Sequence, residues 1–258
     1  MAPSQIVVYQ GTIARSSEAA LGSRARDLAL VEAATRWLEV RVDREHLAAR
    51  AEAHRRLGAM DEALADLIAL VGLERDALAA DPSPDQRERL GAALRSRAQL
   101  RAEMGRDGEA IEDHASVLDL DPDDLESGLE AAWVWAAARS AGGGDLPRAL
   151  IEKAVSRRPA DARMLIAQGA VYYRLGRLED AERVLEEAIR IEGEGASAPA
   201  LLLLALVSHR SEKAEKASDL YRRAASAPEH GDTLGRLTAQ RSKLLRSEAE
   251  GVLGAPPR

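Results

Sequence analysis

Apolar residues recur three or four positions apart along most of the chain, in pairs of stretches separated by short polar turns. The first clear pair has Leu47 and Ala51 in one stretch and Ala63 and Leu67 in the next, with Gly58 between them. This spacing is typical of amphipathic α-helices. Glycine supplies the left-handed residue that ends a helix, and a small alanine allows two helices to approach closely. The pattern therefore predicts a helical hairpin.

The same turn recurs twice, with Gly105 before Ala110 and with Gly176 before Ala181. Two weaker pairs follow the same plan. One has a first helix from Leu125 and a second from Pro147 to Arg158, with a glycine-rich loop (142–144) between them. The other covers 201–224, and its turn (210–213) lacks the glycine. Tandem hairpins predict an all-α repeat fold without strands.

The hairpins resemble the tetratricopeptide repeat, and the unit from Ala162 matches the family pattern best. Its small and bulky packing residues stand at the family's positions: Leu165, Gly169, Tyr172, Ala181, Leu185 and Ala188. The resemblance implies an all-α solenoid of five to six helical-hairpin repeats in a right-handed superhelix. Ala63 and Ala110 lie 47 residues apart, about 13 more than the family period. We therefore expect a lengthened second helix over 71–80, followed by a proline-rich turn at 81–84.

Three regions follow from this alignment. Residues 1–43 are expected to form an N-terminal extension with a degenerate helical pair, and residues 44–228 the repeat array. Residues 229–258 are expected to hold a C-terminal capping helix and a short tail. Thr233 to Glu250 reads as one amphipathic helix that carries Leu234, Leu237, Leu244 and Leu245. Such a helix would cover the last apolar face of the array.

Composition and charge exclude several classes of protein. Lys and Arg number 36 and Asp and Glu 43, so the net charge of -7 argues against a general nucleic-acid or anionic-membrane binder. Cysteine is absent, which removes disulfides and thiolate sites. The longest apolar run, Leu201 to Val207, is far shorter than the roughly 20 residues that span a bilayer. Met1–Gln10 lacks the features of a signal peptide, so we expect a cytoplasmic protein.

Catalytic signatures are weak throughout. The sequence contains no phosphate-binding loop and no His-Glu-x-x-His motif. The five histidines include no pair four residues apart that would clip a metal on a helix. We expect a protein that is not an enzyme, with no metal and no cofactor.

The resemblance implies that the first helices of successive hairpins line a concave groove. The groove positions that we single out are Glu52, Arg55, Arg56, Arg95, Gln99, Trp133, Arg163, Tyr173, Arg174, His209 and Arg210. With Glu45, Glu103 and Glu126 added, six Arg stand against four Glu, so we expect a mildly basic groove. Arginine pairs bidentately with carboxylates, which favours an acidic or amphipathic peptide or helix of a partner protein.

Four of these residues have an alternative interpretation, because the family commonly places basic or aromatic residues where Arg56, Tyr173, Arg174 and Arg210 stand. They are then scaffold residues and not ligand contacts. Trp133 is more informative, since the family usually has a small or polar residue at that groove position. Trp133 and Trp135 cannot both face the same way on a helix.

Two functional hypotheses follow. The first is a scaffold that captures a peptide or helix of a partner in the groove. The second is a self-assembling structural or sensor module, a homo-oligomer that uses the Leu201 to Val207 face and the terminal helices.

Overall fold

The computed structural model describes residues 23–39, 42–138, 143–227 and 235–254, and these ranges hold twelve α-helices and no strand. The helices are α1 (Ser23–Leu38), α2 (Arg44–Leu57), α3 (Met60–Ala80), α4 (Pro84–Glu103), α5 (Asp107–Leu120), α6 (Leu125–Ala137), α7 (Asp145–Arg157), α8 (Ala162–Arg174), α9 (Leu178–Glu192), α10 (Ala198–Arg210), α11 (Ala214–Ser226) and α12 (Gly235–Leu253). A 3₁₀ turn, Gly193–Gly195, follows α9. The all-α prediction is confirmed.

The chain forms two compact units, Met1–Met104 and Gly105–Arg258. In unit 1 each helix packs on the next, from α1 through α4. In unit 2 consecutive helices also pair, from α5 on α6 through α10 on α11. In addition α8 packs on both α6 and α10, and α12 packs on α10.

The hairpin turns have the glycine conformation that the sequence predicts. Gly58, Gly105 and Gly176 have φ of 82°, 73° and 74°, the left-handed region in which glycine avoids a steric cost. The N–H groups of Gly176 and Arg177 donate to the carbonyls of Tyr173 and Tyr172. These bonds satisfy carbonyls that the end of α8 would otherwise leave unpaired.

The turn between α10 and α11 reaches the same conformation without glycine. Glu212 has φ of 61°, and its N–H donates to the carbonyl of His209 while that of Lys213 donates to Ser208. The hydrogen bonds match those at Gly176, so the repeat geometry imposes a strained backbone on a glutamate.

Close packing within the hairpins is also confirmed. Ala63, Ala110 and Ala181 are fully buried. A Cβ added at Gly169 would lie 2.6 Å from the Leu185 side chain, so α8 and α9 approach too closely there for a larger residue.

The predicted long second helix is confirmed, since α3 runs without a break from Met60 to Ala80. The proline-rich segment then starts α4, whose first residue is Pro84. The Ser83 hydroxyl caps α4 by accepting from the Gln86 N–H. Proline suits this position because the first helical N–H has no intrahelical partner.

The chain ends differ in detail from the prediction. For 1–43 the structure describes one helix, α1, and residues 1–22, 40 and 41 lie outside the described ranges. The C-terminal helix spans Gly235–Leu253 and so extends past the predicted end at Glu250, while the predicted start at Thr233 lies outside the described residues; α7 begins at Asp145, two residues before Pro147. The boundaries at 43/44 and 228/229 stay predictions.

Candidate binding surface

Three first helices of unit 2 lie side by side and form one surface. Because α8 packs on α6 and on α10, these helices make a layer, which we call the α6–α8–α10 face. Helix α12 lies across this layer. It packs mainly on α10, touches α6, and makes hydrogen bonds to α8.

The Leu201 to Val207 face is not an exposed contact patch, which corrects one basis of the self-assembly hypothesis. Each of these residues is at most 3% exposed. Helix α10 packs on α8, α9, α11 and α12, so neighbours surround it. Its continuous apolar run is explained by this burial on all sides.

Trp133 lies on α6 and lines an apolar pocket beneath α12. The same pocket includes Ala170 of α8, Leu203 of α10, and Leu244 and Leu245 of α12. Trp135 lies elsewhere, since a Cβ added at Gly144 would lie 2.6 Å from its ring. The two tryptophans therefore face different neighbours, as their spacing requires, and Trp133 is the one beside α12.

A glutamate of α12 meets two side chains at the end of α8. The Glu248 carboxylate accepts from Arg174 Nη1 at 2.9 Å and from Arg174 Nη2 at 2.6 Å, which is a bidentate pair. The Tyr173 hydroxyl donates to Glu248 Oε1 at 3.0 Å. Arg174 Nε also donates to the Ala136 carbonyl at 2.8 Å. That bond fixes the guanidinium between α6 and α8 and aims its remaining donors at α12.

Local sequence positions this pair. The Asp161 side chain caps the start of α8 by accepting from the Arg163 N–H. The left-handed Gly176 lies in the turn directly after the end of α8 at Arg174. Helix α8 therefore has a fixed length, and Tyr173 and Arg174 fall in its last turn next to α12.

The ionisation of Tyr173 is coupled to α12. Burial, and then the negative charge of Glu248, raise the pKa of Tyr173 to about 12. The Arg174 guanidinium lies 5.5 Å and that of Arg210 5.0 Å from the Tyr173 ring centroid, and both charges oppose the rise. Tyr173 thus stays a neutral donor to the Glu248 carboxylate at ordinary pH.

The other predicted residues of unit 2 divide into two groups. Arg210 lies beside the Tyr173 cluster, where its Nη1 donates to the Tyr173 carbonyl at 2.9 Å. His209 is exposed in the last turn of α10. Arg163 lies at the opposite end of α8, about 16 Å along the axis from Arg174, and pairs with Glu126 and Asp161 at 2.9 Å each.

The predicted residues of unit 1 neutralise one another. Arg55 pairs with Glu52 at 2.9 Å and with Glu103 at 2.8 Å. Arg56 pairs with Glu52 at 3.1 Å and with Asp27 at 2.7 Å.

Arg95 and Gln99 are half-buried on α4, and the Gln99 amide donates to Glu103 at 3.4 Å. The excess of arginine counted in the sequence is therefore largely matched by adjacent carboxylates in this unit.

Comparison with known proteins agrees with the hairpin geometry. Residues 162–194, which form α8 and α9, match the tetratricopeptide repeat family. This segment of the chain is therefore a tetratricopeptide repeat. No curated protein matches the sequence.

Solved structures show the same fold. The crystal structure of MamA is similar to this chain at 17% identity and a TM-score of 0.50, covering 68% of this chain and 92% of MamA. A MamA RS-1 double mutant is similar at 17% identity and a TM-score of 0.50, covering 80% of this chain and 96% of the other. Identities this low establish the fold alone.

Sequence reasoning missed Glu248 as a site residue and placed α12 only as a cap. The signal was present in the Leu244-Leu245-x-x-Glu248-Ala249 pattern, in which Leu245 and Ala249 share one helix face and Glu248 lies beside it. The tetratricopeptide repeat pattern describes the two helices of each repeat. It gives no expected residues for a helix that follows the last repeat.

Membrane-spanning helices and metal-binding clusters are both absent from the described residues. No helix there is long and apolar enough to cross a membrane. Within the same ranges, no group of three or more His, Asp or Glu side chains is placed to hold a metal ion.

Proposed function

We propose that this protein is a non-catalytic scaffold that binds a helix or peptide segment of a partner protein on the α6–α8–α10 face. One observation carries the proposal: the face already accommodates a helix, whose Leu244 and Leu245 line the same pocket as Trp133 and whose Glu248 pairs with Arg174. An apolar pocket beside a fixed arginine is the arrangement by which grooves hold amphipathic helices.

The charges of the described residues favour this face over unit 1. Arg55 and Arg56 are paired with carboxylates of their own unit, so an acidic ligand would have to displace those carboxylates. Arg174 is also paired with a carboxylate of its own unit, Glu248, but that carboxylate belongs to α12, which buries only Leu245 and Ala249 among its described side chains, and Arg174 lies beside Arg210 and an apolar pocket. The partner that we propose is therefore acidic and amphipathic, and we propose no nucleic-acid or membrane ligand for a chain of net charge -7.

The non-catalytic role is supported by the fold, because the tetratricopeptide repeat is typically a scaffold. No cofactor is part of the proposal. The cytoplasmic location remains a prediction from the sequence, which fractionation of the source cells would test.

The proposal is tested by affinity capture from a lysate of the source cells, followed by titration of the captured protein. The wild-type chain is compared with Arg174→Gln and Trp133→Leu. The matched control is Arg190→Gln, which changes an exposed arginine on α9 that pairs with its helix neighbour Glu187. A partner lost by both face variants and kept by the control supports the proposal. A partner kept by all four chains would place the binding surface elsewhere.

Self-assembly remains the alternative, although the Leu201 to Val207 face is buried and no longer supports it. Light scattering over a range of concentrations separates the two. A mass that grows with concentration favours the homo-oligomer, whereas a monomer at all concentrations removes it.

A further inference from the structure

We propose that α12 is a displaceable occupant of the α6–α8–α10 face, and that the partner segment is an acidic amphipathic helix with the same pattern of side chains. The inference rests on the proposed function, because it names what the same face binds and how access is controlled. The partner helix presents two adjacent apolar residues, an acidic residue three positions later, and then a small residue.

Contacts to three first helices indicate that α12 occupies the face and does not simply continue the repeat stack. A helix that merely capped the array would pack on the last hairpin, α10 and α11. Helix α12 instead also touches α6 and bonds α8 through Glu248. Trp133 lies on α6, two first helices before α10, and still lines the same pocket as Leu244 and Leu245 of α12.

The chemistry of the contact defines the ligand. Arg174 Nη1 and Nη2 both reach the Glu248 carboxylate, and Tyr173 adds a third donor. Three converging donors select a carboxylate over an amide or a hydroxyl. Ala249 is fully buried one residue later, so a bulky residue at this position of the ligand would hold the helix off the face.

Docking of α12 is shallow. Among its described side chains, residues 243–254, only Leu245 and Ala249 are buried. Leu244 is 43% and Val252 46% exposed. By comparison α11, of 13 residues, buries Ala217, Leu220, Tyr221 and Ala224. The Arg174–Glu248 pair is partly open to water, where ion pairs are weak. A helix held by so few buried groups exchanges with an open state more easily than the repeat helices do.

The covalent link gives α12 an advantage that a free ligand has to overcome. Eight residues, 227–234, join the end of α11 to the start of α12. A short link keeps α12 at a high effective concentration, so it competes with the partner even though its own contacts are few. Removing this competition raises the apparent affinity of the face for any helix of the same pattern.

The test uses the full-length chain and a fluorescein-labelled synthetic peptide of residues 235–253 as the probe. Binding is measured by fluorescence anisotropy for wild type, for Leu245→Asp and for Glu248→Arg. The two substitutions detach α12 from the pocket and from Arg174, respectively. The matched control is Ser247→Asp, which places the same new charge on an exposed position of the same helix.

We expect both detached variants to bind the peptide at least about tenfold more tightly than wild type and the control. Adding Arg174→Gln to Glu248→Arg is expected to abolish the gain in affinity for the peptide. Circular dichroism and the melting temperature establish that each variant is folded, and Glu248→Arg serves if Leu245→Asp is not.

Equal affinity in the wild-type and detached chains, or no peptide binding by either folded detached variant, would overturn the inference. If an Arg174-dependent partner is nevertheless captured by the wild-type chain, the proposed function stands without a resident occupant. If no Arg174-dependent ligand is found in either experiment, the proposed function fails as well.

Discussion

The first helices of the two units belong to the same kind of helical hairpin, but they present different surfaces. In unit 1, α2 and α4 display charged residues that pair among themselves, with Arg55 between Glu52 and Glu103. In unit 2, α6, α8 and α10 are buried along most of their length and bear α12. The shared scaffold therefore sets the spacing of the helices, while a few residues such as Trp133 and Arg174 decide which face receives a helix.

Packing inside the hairpins is expected to be equally tight in both units, and a leucine at the small position tests this most strongly. Ala63→Leu in unit 1 and Ala181→Leu in unit 2 should each cost about 1–3 kcal/mol in the free energy of unfolding, because both alanines are fully buried. Denaturant titration measures the cost. Ala92→Leu, at an exposed position of α4, is the control. An unchanged midpoint for either variant would show that the hairpin register is wrong in that unit.

A substitution in a hairpin turn is expected to change the free energy of unfolding by less, and in the stabilising direction. Glu212→Gly should stabilise the chain by about 1 kcal/mol, because glycine adopts the φ of 61° at little cost. The greater freedom of glycine in the unfolded chain offsets part of the gain. Gly176→Glu is the mirror experiment and should destabilise. The melting temperatures of the two variants should move in opposite directions, and equal shifts would exclude strain at Glu212.

Tyr173, at the α6–α8–α10 face, is expected to make the stability of the protein depend on pH in the alkaline range. The pKa of Tyr173 is raised from 10.0 to about 12 by burial and by Glu248. Its neutral form is the one favoured in the folded state, so the stabilisation is complete below pH 10 and is lost as the pH rises toward 12.

The melting temperature of wild type should therefore fall more steeply between pH 10 and pH 12 than that of Tyr173→Phe. Tyr172→Phe should flatten the profile similarly, because the pKa of Tyr172 is also raised to about 12, and it serves as the comparison away from α12, since its hydroxyl bonds Glu152 of α7. A profile for Tyr173→Phe as steep as that of wild type would contradict this coupling.

The smallest effects are expected for the ion pairs. Glu103→Gln in unit 1 and Glu248→Gln in unit 2 remove partners of arginines that are 22% and 34% exposed. Each should change the free energy of unfolding by less than about 1 kcal/mol. Only Glu248→Gln should increase hydrogen exchange in α12. Equal exchange in both variants would remove the special role of the unit 2 pair.

Much of the fold could be predicted because the hairpins depend on local rules. Gly58 and Gly176 have the left-handed turns, and Ala63 and Ala181 the buried contacts, that their spacing predicts. The extra length of α3 followed from the interval between Ala63 and Ala110. Glu212 could not be identified as strained, because only the backbone dihedral shows that a glutamate takes the glycine position.

The candidate surface was predicted only in part. Counting charges identified Arg55, Arg163 and Arg174 alike, since a sequence does not show which carboxylate neutralises which arginine. The long-range pairs Arg55–Glu103 and Arg174–Glu248 join residues far apart in the chain. The position of α12 on three first helices depends on tertiary packing, for which the hydrophobic pattern of α12 gives a face but no partner.

Hydrogen exchange of the wild-type protein, followed by mass spectrometry, tests most directly whether the α6–α8–α10 face opens. We expect backbone amides of 243–253 to exchange well before those of α8, at a temperature and pH where the protein stays folded. Leu245→Asp should remove the protection of α12 and leave that of α8 unchanged. If the amides of α12 exchange only as slowly as those of α8, the helix is a permanent part of the folded core, and the face is closed to a partner.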